Sequence, residues 1–570
     1  MVDLFTVIEL RSVSPSGTDI TLYVSQAGGH RTVVATNRFF ADRSSYGAIT
    51  VAADTAAGSV QAPGTLSIRL QNADGFYDAY LPGGASEQYW SGATVTVYSG
   101  GTAGDNVSTM TREFVGYVTP GSLTREAGSF EIGFTVQDKR ARDNQPIATQ
   151  TWDDHAQYNA TNAEPSIDGV TIPVILGNWT SGGTRTEKLP TVRLNISGAT
   201  YTYGYCYHTT STVTVFHRIG RSSQWTDVTA NCTVTATTGY FTANTAAISG
   251  FDANQSEFAV TCVGRQDVLT DDNPVRLIQV ILDTWGNVTP ASDIYNAVDE
   301  ADNNIRGSFE NTYNLLGAAS PDYTARAYID SADTRVLEVV GRIAFESGLI
   351  VGHDGGKYRC YPTLPIAASR SLTVGAWSIV GGQIGSEFDP DATFSDVARI
   401  RYHPDPSANW NPTAFYDTSV SVSSGPIADA RTAYGSPDAV YTDTWLHVYG
   451  SGVATAIQRA LFWRIGRSEI VGADVIGEPG NGAWTHSLGA DTMFASGRYD
   501  GVDVRILKIT KRPRDGSVGF VGLALHGLLT AGVWADSSGN DAAGNPVTGS
   551  KWANASGEDG SGNAVTSMWV

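Results

Sequence analysis

The sequence predicts a mainly β protein with some α-helix, divided into several domains. Glycine accounts for 62 of the 570 residues, about 11% against a usual value of about 7%. Charged residues make up only 16% of the chain, and short alternating apolar and polar runs recur between Gly, Asn, Asp and Ser turns. Because single domains usually stop growing at about 250 to 300 residues, this length requires more than one core.

The charge balance is strongly acidic. Asp and Glu number 57 against 37 Lys and Arg, which gives a net charge of −20 and a pI near 4.8. The six lysines are scattered along the chain. Because phosphate recognition requires clustered cations, nucleic acid and anionic lipid are poor candidates for a static partner.

No segment suggests export or a membrane span. The start of the chain, Met1 to Val13, has an early acid and alternates like a strand, so a signal peptide is not expected. The most apolar stretch, Gly519 to Ala535, contains further glycines and a histidine, and it falls short of the ~20 residues of a membrane helix. We interpret it as a buried strand followed by a turn, and we expect no stable membrane insertion.

The first two regions are predicted to be β-rich. Residues 1–145 alternate like strands, for example from Asp19 to Val24 and from Ala93 to Tyr98. Residues 146–270 open with polar sequence and continue from Ile172 as short strands. They hold three of the four cysteines, which occur at 206, 232, 262 and 360. Without a CxxC or close His spacing, reduced structural thiols are favoured over disulfides or a zinc site.

Residues 271–375 are predicted to be a helix-containing middle domain. Asn273 and Pro274 form a helix-start signal, and apolar residues then recur at helical spacing at Val275, Ile278, Ile281, Leu282 and Trp285. A second helix is predicted from about Asp333 to Ser347, with Val336, Val340, Ile343 and Ala344 on one face and Gly348 as C-cap.

A tight hairpin follows this second helix. Its two short β runs meet at Asp354, Gly355 and Gly356, residue types that accept positive φ. We expect Val336, Val340 and Ile343 to pack against the hairpin around this turn. The helix and hairpin together are the most distinctive local unit of the sequence.

Residues 376–533 return to β sequence. A strand begins at Val397, one more helix is predicted at about Val453 to Ile465, and a hairpin runs from Asp503 to Leu525 with its turn at Arg514 to Gly516.

The final segment, 534–570, is a repeat. Two copies begin at Trp534 and Trp552, eighteen positions apart, and Trp569 closes the chain. With one Trp per unit among Gly, Ser, Asn and Asp, each copy has too little apolar surface to fold alone. We expect a flexible tail in the free chain.

Signatures of enzymes are weak. The sequence has no GxSxG, HExxH or GxxxxGK[ST] and no suitably placed GxGxxG. Asp153, Asp154 and His155 could supply a base with its orienting carboxylate. A solvated loop with a surface histidine is the favoured interpretation, because no nucleophile or second histidine lies nearby in sequence. No catalytic residue is assigned, and the protein is predicted not to be an enzyme.

Other polar groups carry no assignment. Candidate carboxylate pairs for glycoside hydrolysis are frequent by chance in an acidic chain; they could be drawn from Glu300, Asp302, Glu310, Asp330 and Glu346. Asp536, Asp541 and Asp559 lack the full spacing of a calcium loop. His403 and His447 fit a core or a strand edge better than a metal site. We therefore expect no cofactor and no metal.

Several segments resemble one family of proteins. In the first domain the order is Leu66 to Gly84, Ala93 to Gly101, Arg112 to Leu123 and Phe130 to Ala141, in which a strand ends at an Asn-x-Asp-Gly turn and an F-x-G-x-V strand follows. Later segments match in the expected order: Ile172 to Asn178, Asn273 to Gly286, Asp333 to Leu364, Val397 to Trp410 and the strands from Asp503. This order resembles the hub or tail-tip proteins of tailed bacteriophages, which include the baseplate hub of contractile tails and the lambda-type tip protein.

The resemblance implies a fold and a role. Residues 1–145 would form a tube-type β-barrel and residues 376–533 a second, barrel-like hub domain. The chain would be a structural part of the virion that closes the distal end of the tail tube, acts as a homotrimer and is assembled in the host cytoplasm. Its partners would be the distal tail ring protein, the tape-measure protein and a tail fibre or receptor-binding protein. Phage DNA would pass through without sequence-specific binding, and the acidic charge would repel its phosphates.

Three alternatives remain open at this stage. The chain could be the distal tail ring protein, a host-glycan-binding adhesin or a polysaccharide-degrading tail enzyme, and its 13 Trp and 25 Tyr suit sugar stacking. For the tail repeats we predict docking anchors at Trp534, Trp552 and Trp569, each filling an apolar pocket on a partner. The competing interpretation is a disordered chain end that follows Trp534.

Overall fold

The structure is a computed structural model. It describes residues 5–13, 19–25, 32–34, 37–38, 44–52, 59–61, 63–100, 110–125, 130–180, 188–220, 223–265, 273–296, 307–318, 325–362, 372–375, 379, 384–388, 397–402, 416–421, 440–443, 469–476, 491–495, 503–512 and 516–524.

The N-terminal part forms an eight-stranded antiparallel sheet. Strand Thr65–Gln71 buries every second side chain, namely Leu66, Ile68 and Leu70, as the alternating pattern predicts. The strand order is β2-β1-β9-β10-β12-β8-β5, with β11 beside β12. The strands are β1 (Phe5–Val13), β2 (Asp19–Ser25), β5 (Ser44–Tyr46), β8 (Thr65–Gln71), β9 (Tyr89–Gly100), β10 (Thr111–Val118), β11 (Thr124–Arg125) and β12 (Glu131–Asp138).

This first sheet is a curled half-barrel rather than a closed barrel. Within the residues described, its edge strands β2 and β5 do not pair with each other. The Asn-x-Asp-Gly turn follows β8, where the side chain of Asn72 accepts a hydrogen bond from the Tyr77 amide at 2.8 Å. That contact fixes the short 3₁₀-helix Phe76–Tyr80 against the sheet core, because Tyr77 is fully buried.

The second region contains two antiparallel sheets. The first has the order β18-β17-β21-β13-β22 with β14 beside β21, and the second has the order β15-β16-β20-β19. Trp179, Tyr205 and Phe241 lie in their shared core. The strands are β13 (Val174–Asn178), β14 (Leu189–Pro190), β15 (Val192–Ser197), β16 (Thr200–Gly204), β17 (Ser211–Ile219), β18 (Thr226–Asp227), β19 (Cys232–Thr235), β20 (Tyr240–Asn244), β21 (Ser256–Gly264) and β22 (Ala327–Ile329), with 3₁₀-helices Trp152–Asp154, Pro165–Ile167, Thr229–Asn231 and Thr245–Ala247.

The middle region is helical, with one small sheet. Its helices are α1 (Arg140–Asp143), α2 (Pro274–Trp285), α3 (Pro290–Asp293), α4 (Phe309–Ala318) and α5 (Val336–Glu346). The sheet has the order β24-β23-β7, from β7 (Ser59–Val60), β23 (Leu349–Asp354) and β24 (Lys357–Pro362). The Asn273 side chain caps α2 by accepting the Val275 amide at 2.9 Å. Gly348 follows α5 with φ +63°. The start of α2 and the end of α5 are therefore close to the predicted positions.

The C-terminal part forms a seven-stranded sheet in the order β25-β31-β32-β33-β30-β26, with β6 beside β32. A separate sheet has the order β28-β27-β29, and β3 pairs with β4. The strands are β3 (Thr32–Val34), β4 (Asn37–Arg38), β6 (Ile49–Ala52), β25 (Leu372–Gly375), β26 (Gly385–Phe388), β27 (Val397–Tyr402), β28 (Tyr416–Ser421), β29 (Val440–Asp443), β30 (Glu469–Ile476), β31 (Asp491–Ala495), β32 (Asp503–Arg512) and β33 (Ser517–Ala524).

The predicted class, mainly β with a few helices, is confirmed. The hairpin predicted around Arg514 to Gly516 is present, since Arg512 of β32 pairs with Ser517 of β33. The helix expected at about Val453 to Ile465 and the repeat of 534–570, with Trp534, Trp552 and Trp569, lie outside the described residues.

Candidate functional site: the junction of three sheets

One segment of the chain contributes strands to three different sheets. Between residues 44 and 71, β5 and β8 pair within the first sheet. In the same segment, β6 adds to the C-terminal sheet by pairing with β32, and β7 runs parallel to β23 of the middle sheet. The sequence predicts this segment to lie within the first β-rich region, residues 1–145. The structure instead uses it to join the N-terminal, middle and C-terminal parts.

The hairpin β23–β24 lies between two cores. Val351 and Cys360, which are paired across the hairpin, belong to the core formed with the helices. Their neighbours Ile350 and Tyr361, also paired, point to the other face and join the core of the C-terminal sheet. Since successive strand residues alternate between faces, the apolar run from Leu349 to Val351 places buried apolar side chains on both faces of β23.

The turn of this hairpin packs on strand β10. Gly355 and Gly356 have φ of +57° and +78°, as a two-residue hairpin turn demands. A Cβ on Gly355 would overlap the carbonyl oxygen of Arg112, and one on Gly356 would lie 2.6 Å from Val115. The Arg112 guanidinium also donates to the carbonyl of Gly355. Glycine is therefore needed twice, for φ and for the close approach.

This arrangement corrects the predicted packing of α5. Val336, Val340 and Ile343 do contact the hairpin, in a core that also contains Val351 and Cys360 of its strands. The glycine turn itself lies against β10, beyond the reach of the helix face, because a six-residue strand carries the turn away from the helix that it packs on.

A buried ion pair links the first sheet to the C-terminal sheet. The Lys511 ammonium of β32 lies 2.6 Å from a carboxylate oxygen of Glu113 on β10, and the two side chains are only 5% and 1% exposed. Asp354, at the end of β23, lies 4.0 Å from the same ammonium. Burial works to lower the pKa of Lys511, but the carboxylates of Glu113 and Asp354 outweigh it and raise that pKa. Lys511 is therefore a charged residue held by groups from the other two parts.

A second charged cluster follows the end of β12. Arg140 contacts Asp138 through two nitrogens, at 2.6 and 3.1 Å, and donates to the carbonyl of Gln61 at 2.6 Å. The side-chain oxygen of Gln61 accepts the amide of His353 at 3.0 Å. Burial opposes the charge of Asp138, but His353 and Arg140 lower its pKa below the ordinary value. Gln61 thus connects the first sheet to the hairpin.

His353 is buried in this cluster. Its Nδ1 lies 3.8 Å from Asp138, and its Nε2 has no hydrogen-bond partner among the described residues. A small cavity of about 30 Å³ borders the ring, lined also by Thr50, Glu113 and Phe114. Burial lowers the pKa of His353 to about 4, so the imidazole is neutral at pH 7.

Asp143 is the second buried titratable group here. One carboxylate oxygen accepts the hydroxyl of Tyr358 at 3.0 Å, and the other has no partner among the residues described. Burial raises the pKa of Asp143 to about 7. The nearby Lys139 ammonium is engaged instead with Asp293, at 2.5 Å. Tyr358 lies between the two groups, because its ring also contacts the ring of His353 at 5.1 Å between centroids.

The charged groups of this junction hold parts of the protein together. One of its buried ion pairs, Lys511 with Glu113, joins two sheets, and breaking a buried pair is costly because a charge is left uncompensated. We define the junction by Gln61, Glu113, Asp138, Arg140, Asp143, His353, Asp354, Tyr358 and Lys511.

The cluster singled out by sequence has a different structure from the one expected. His155 is buried, not on the surface, and its ring meets those of Tyr207 and Tyr240 edge-on and that of Trp152 at a tilt. Its Nε2 lies 3.2 Å from the carbonyl of Thr238, and its Nδ1 accepts the amide of Gln157 at 3.1 Å. Burial lowers the pKa of His155. With both nitrogens engaged, the ring has no free lone pair for base catalysis.

The flanking acids do not orient this histidine. Asp154 accepts the Thr151 hydroxyl at 3.0 Å, and Asp153 accepts the Gly169 amide at 3.2 Å. Asp154 therefore caps its local turn, and Asp153 binds a loop sixteen residues further along the chain. The prediction of an ordinary surface histidine was wrong because two of the rings that cover His155, those of Tyr207 and Tyr240, come from residues more than fifty positions away.

The other candidate carboxylates, cysteines and histidines either make ordinary structural contacts or lie outside the described residues. Glu310 pairs with Arg276 at 2.7 Å and Glu346 with Arg342 at 2.8 Å. The four cysteines are free thiols, and three of them are buried. Glu300, Asp302, His403, His447, Asp536, Asp541 and Asp559 lie outside the described residues.

Two further observations concern ligands and membranes. Among the residues that the structure describes, no group of three or more His, Cys, Asp and Glu side chains is placed to hold a metal ion. No helix in the described part is long and apolar enough to cross a membrane.

Comparison with known proteins gives matches only at the level of structure. No protein-family model matches the sequence, and no curated protein matches it. The chain is similar to the 43 kDa tail protein of prophage MuSo2 from Shewanella oneidensis, with 11% identity, a TM-score of 0.37, and 91% of this chain and 97% of that chain covered.

Two other solved structures match at a similar level. The tail protein from Neisseria meningitidis MC58 has 8% identity and a TM-score of 0.37, with 91% of this chain and 96% of that chain covered. A component of the virion of a native gene transfer agent particle has 11% identity and a TM-score of 0.39, with coverage of 68% and 92%. The three matched structures are two tail proteins and a virion component.

The sequence contains one signal of the junction, a lysine on the buried face of a strand. Lys511 lies two residues after Ile509, which is buried, so the two share a face of β32. A lysine on the inward face of a strand signals a buried partner. Nothing local identifies that partner, because Glu113 lies on a strand of another sheet.

Proposed function

We propose that the chain is a structural hub or tip component of a bacteriophage tail, located at the distal end of the tail tube. On this proposal it closes the tube and links it to the proteins that attach to the host. It serves in host attachment and genome ejection, and it is not an enzyme.

The observation that carries the proposal is the placement of the resemblance-bearing segments. Leu66 to Gly84, Ala93 to Gly101, Arg112 to Leu123 and Phe130 to Ala141 contribute the strands β8, β9, β10 and β12. All four belong to the first sheet, where β9, β10, β12 and β8 are consecutive neighbours. A curled sheet formed by the family-like segments supports a ring-forming role, since a ring is built from curved, rigid walls.

The junction supports the same role. A tail hub transmits force between the tube and the attachment proteins, and its parts must not slide past one another. Strands of segment 44–71 enter three sheets, and the buried pair of Lys511 and Glu113 joins two of those sheets. Such a joint resists shear, because any displacement would leave charges buried without partners.

The assembly that we propose is a homotrimer on the tail axis. Its neighbours would be the distal tail ring protein, the tape-measure protein and a tail fibre or receptor-binding protein. The net charge of −20 would repel DNA phosphates and let the genome pass without sequence-specific binding.

Native mass spectrometry of the purified chain, combined with electron microscopy of purified tails, tests this function. We expect three copies, located on the axis at the distal end of the tube. Six copies in a ring would instead assign the distal tail ring protein, and a monomer away from the axis would contradict the proposal and favour an adhesin or a glycan-degrading enzyme.

We further propose that Trp534, Trp552 and Trp569 dock an outer adhesive protein. Their spacing of eighteen and seventeen residues, in sequence too polar to form its own core, suits a tether whose aromatic anchors fill pockets on a partner. Three tails of a trimer would multiply the affinity by linkage.

Deletion of residues 535–570 tests the tether. We expect tails that still assemble the hub but lack their fibre or receptor-binding protein. A full-length Trp552→Ala, Trp569→Ala variant should reproduce the loss, whereas full fibre occupancy and normal adsorption after the deletion would refute docking.

A further inference from the structure

Two buried titratable groups of opposite charge type face the same side chain at the junction. Asp143, on α1, accepts the hydroxyl of Tyr358 on β24, and His353, on β23, contacts the ring of the same tyrosine. Each group retains one polar atom without a partner among the described residues, Oδ1 of Asp143 and Nε2 of His353. Neither group is therefore stabilised in its charged form by a full set of hydrogen bonds.

The charged neighbours of His353 do not stabilise its protonated form enough to offset its burial. Asp138 is already bonded to Arg140 through two nitrogens. Arg140 and Lys139, at the start of α1, disfavour a positive imidazolium, whereas Asp354 on its own strand favours it. Across the cavity, Glu113 of β10 is paired with Lys511 of β32. Burial outweighs the remaining attractions.

The charged neighbours of Asp143 likewise do not stabilise its negative form enough to offset its burial. The ammonium of Lys139 favours the charged form of Asp143, but it also binds Asp293 of α3. Asp293 and Asp138 both oppose a negative charge on Asp143. The hydrogen bond from Tyr358 favours the carboxylate, but burial outweighs it.

We propose that Asp143 and His353 form an opposing pair, in which each group offsets the effect of the other on the pH dependence of the closure of this junction between about pH 5 and pH 7. Acid favours opening through His353, because the opened junction lets the imidazole take up a proton. Alkali favours opening through Asp143, because the opened junction lets the carboxyl release one. Since both groups face Tyr358, one opening motion of the hairpin exposes both.

The signs and sizes follow from proton linkage. The pKa of His353 falls from 6.5 to about 4 in the closed state, so opening through this group alone is favoured about twentyfold more at pH 5 than at pH 7. The pKa of Asp143 rises from 3.8 to about 7, so opening through it alone is favoured about fiftyfold more at pH 7 than at pH 5. The two effects have opposite signs, so the change in the wild type is smaller than the larger of the two.

Amide hydrogen exchange of the full chain tests this pair. The rates of peptides from residues 349–362 are measured at pH 5 and pH 7, each divided by the rate of the unfolded chain at the same pH. In wild type the opening should change with pH by less than in the more pH-dependent of the two single variants. In His353→Gln it should rise about fiftyfold toward pH 7, and in Asp143→Asn it should rise about twentyfold toward pH 5.

The double variant and a variant of a distant histidine serve as controls in this experiment. Removing both groups should remove the pH dependence, and His217→Gln, whose ring bonds Ser256 in the second region, should leave the junction peptides unchanged. His353→Asn serves as a second form of the histidine variant should the glutamine side chain prevent folding. The proposal is overturned if the single variants stay independent of pH, or if both shift opening in the same direction. This outcome is separate from whether the chain is a tail hub, because it is read on the free protein.

Discussion

The ammonium of Lys511 lies 2.6 Å from a carboxylate oxygen of Glu113, although 398 positions separate the two residues in the chain. Both side chains are almost fully buried, and Ser99 donates a further hydrogen bond to Glu113. The pair joins β32 of the C-terminal sheet to β10 of the first sheet.

Replacing one member of this pair should be strongly destabilising. Lys511→Met leaves the carboxylate of Glu113 buried without its cation, and we expect a loss of about 3–5 kcal/mol. The double variant Glu113→Gln, Lys511→Met should lose less, because it removes both charges. Hydrogen exchange of peptides from β10 and β32 measures the loss locally.

A surface pair provides the control. Arg69 and Glu131 approach to 3.3 Å on neighbouring strands with side chains 70% and 37% exposed, so Arg69→Gln should change stability by less than about 0.5 kcal/mol. Equal effects at the two pairs would show that burial does not set the strength of the Lys511 contact.

The turn of the junction hairpin should tolerate no side chain. Gly355→Ala places a methyl group against the carbonyl of Arg112 in addition to straining a positive φ. Gly516→Ala is the matched control, since φ is +59° there against +57° at Gly355 and no atom lies within 4 Å of the added carbon. We expect about 1–2 kcal/mol from conformational strain in both variants, and a clearly larger loss only at Gly355. Thermal unfolding of the two variants measures the difference.

Helix α5 should not accept a charge on its inner face. Val340 is fully buried, so Val340→Asp places an unpaired carboxylate in the core and should cost several kcal/mol. Glu338→Asp, at an exposed position of the same helix, should melt close to wild type. If Val340→Asp melts within a degree or two of wild type, the packing of this helix is incorrectly described.

His155 should matter for stability and not for hydrolysis. Its ring is buried with both nitrogens engaged, so His155→Ala should cost about 1–3 kcal/mol through lost packing and unpaired backbone groups. The wild-type protein should release no sugars or peptides from host envelope. Robust release that disappears in His155→Ala would reverse the non-enzymatic assignment.

Local features were predictable because their causes lie within a few residues. Asn273 and Pro274 start α2, Gly348 follows the end of α5, and Gly355 with Gly356 form the hairpin turn. Capping and positive φ depend on the residue at the position and its immediate neighbours. For the same reason, the alternation along β8 predicted its buried face.

The sequence by itself therefore determined the mainly β class, the helix-plus-hairpin unit and the position of its turn. Tertiary structure alone decided that strands β6 and β7 leave the first sheet, that aromatic rings cover His155, and that Lys511 meets Glu113. Each of these depends on which distant surfaces pack together. Burial and Coulomb attraction act through space, whereas a single sequence shows periodicity and turn chemistry only along the chain.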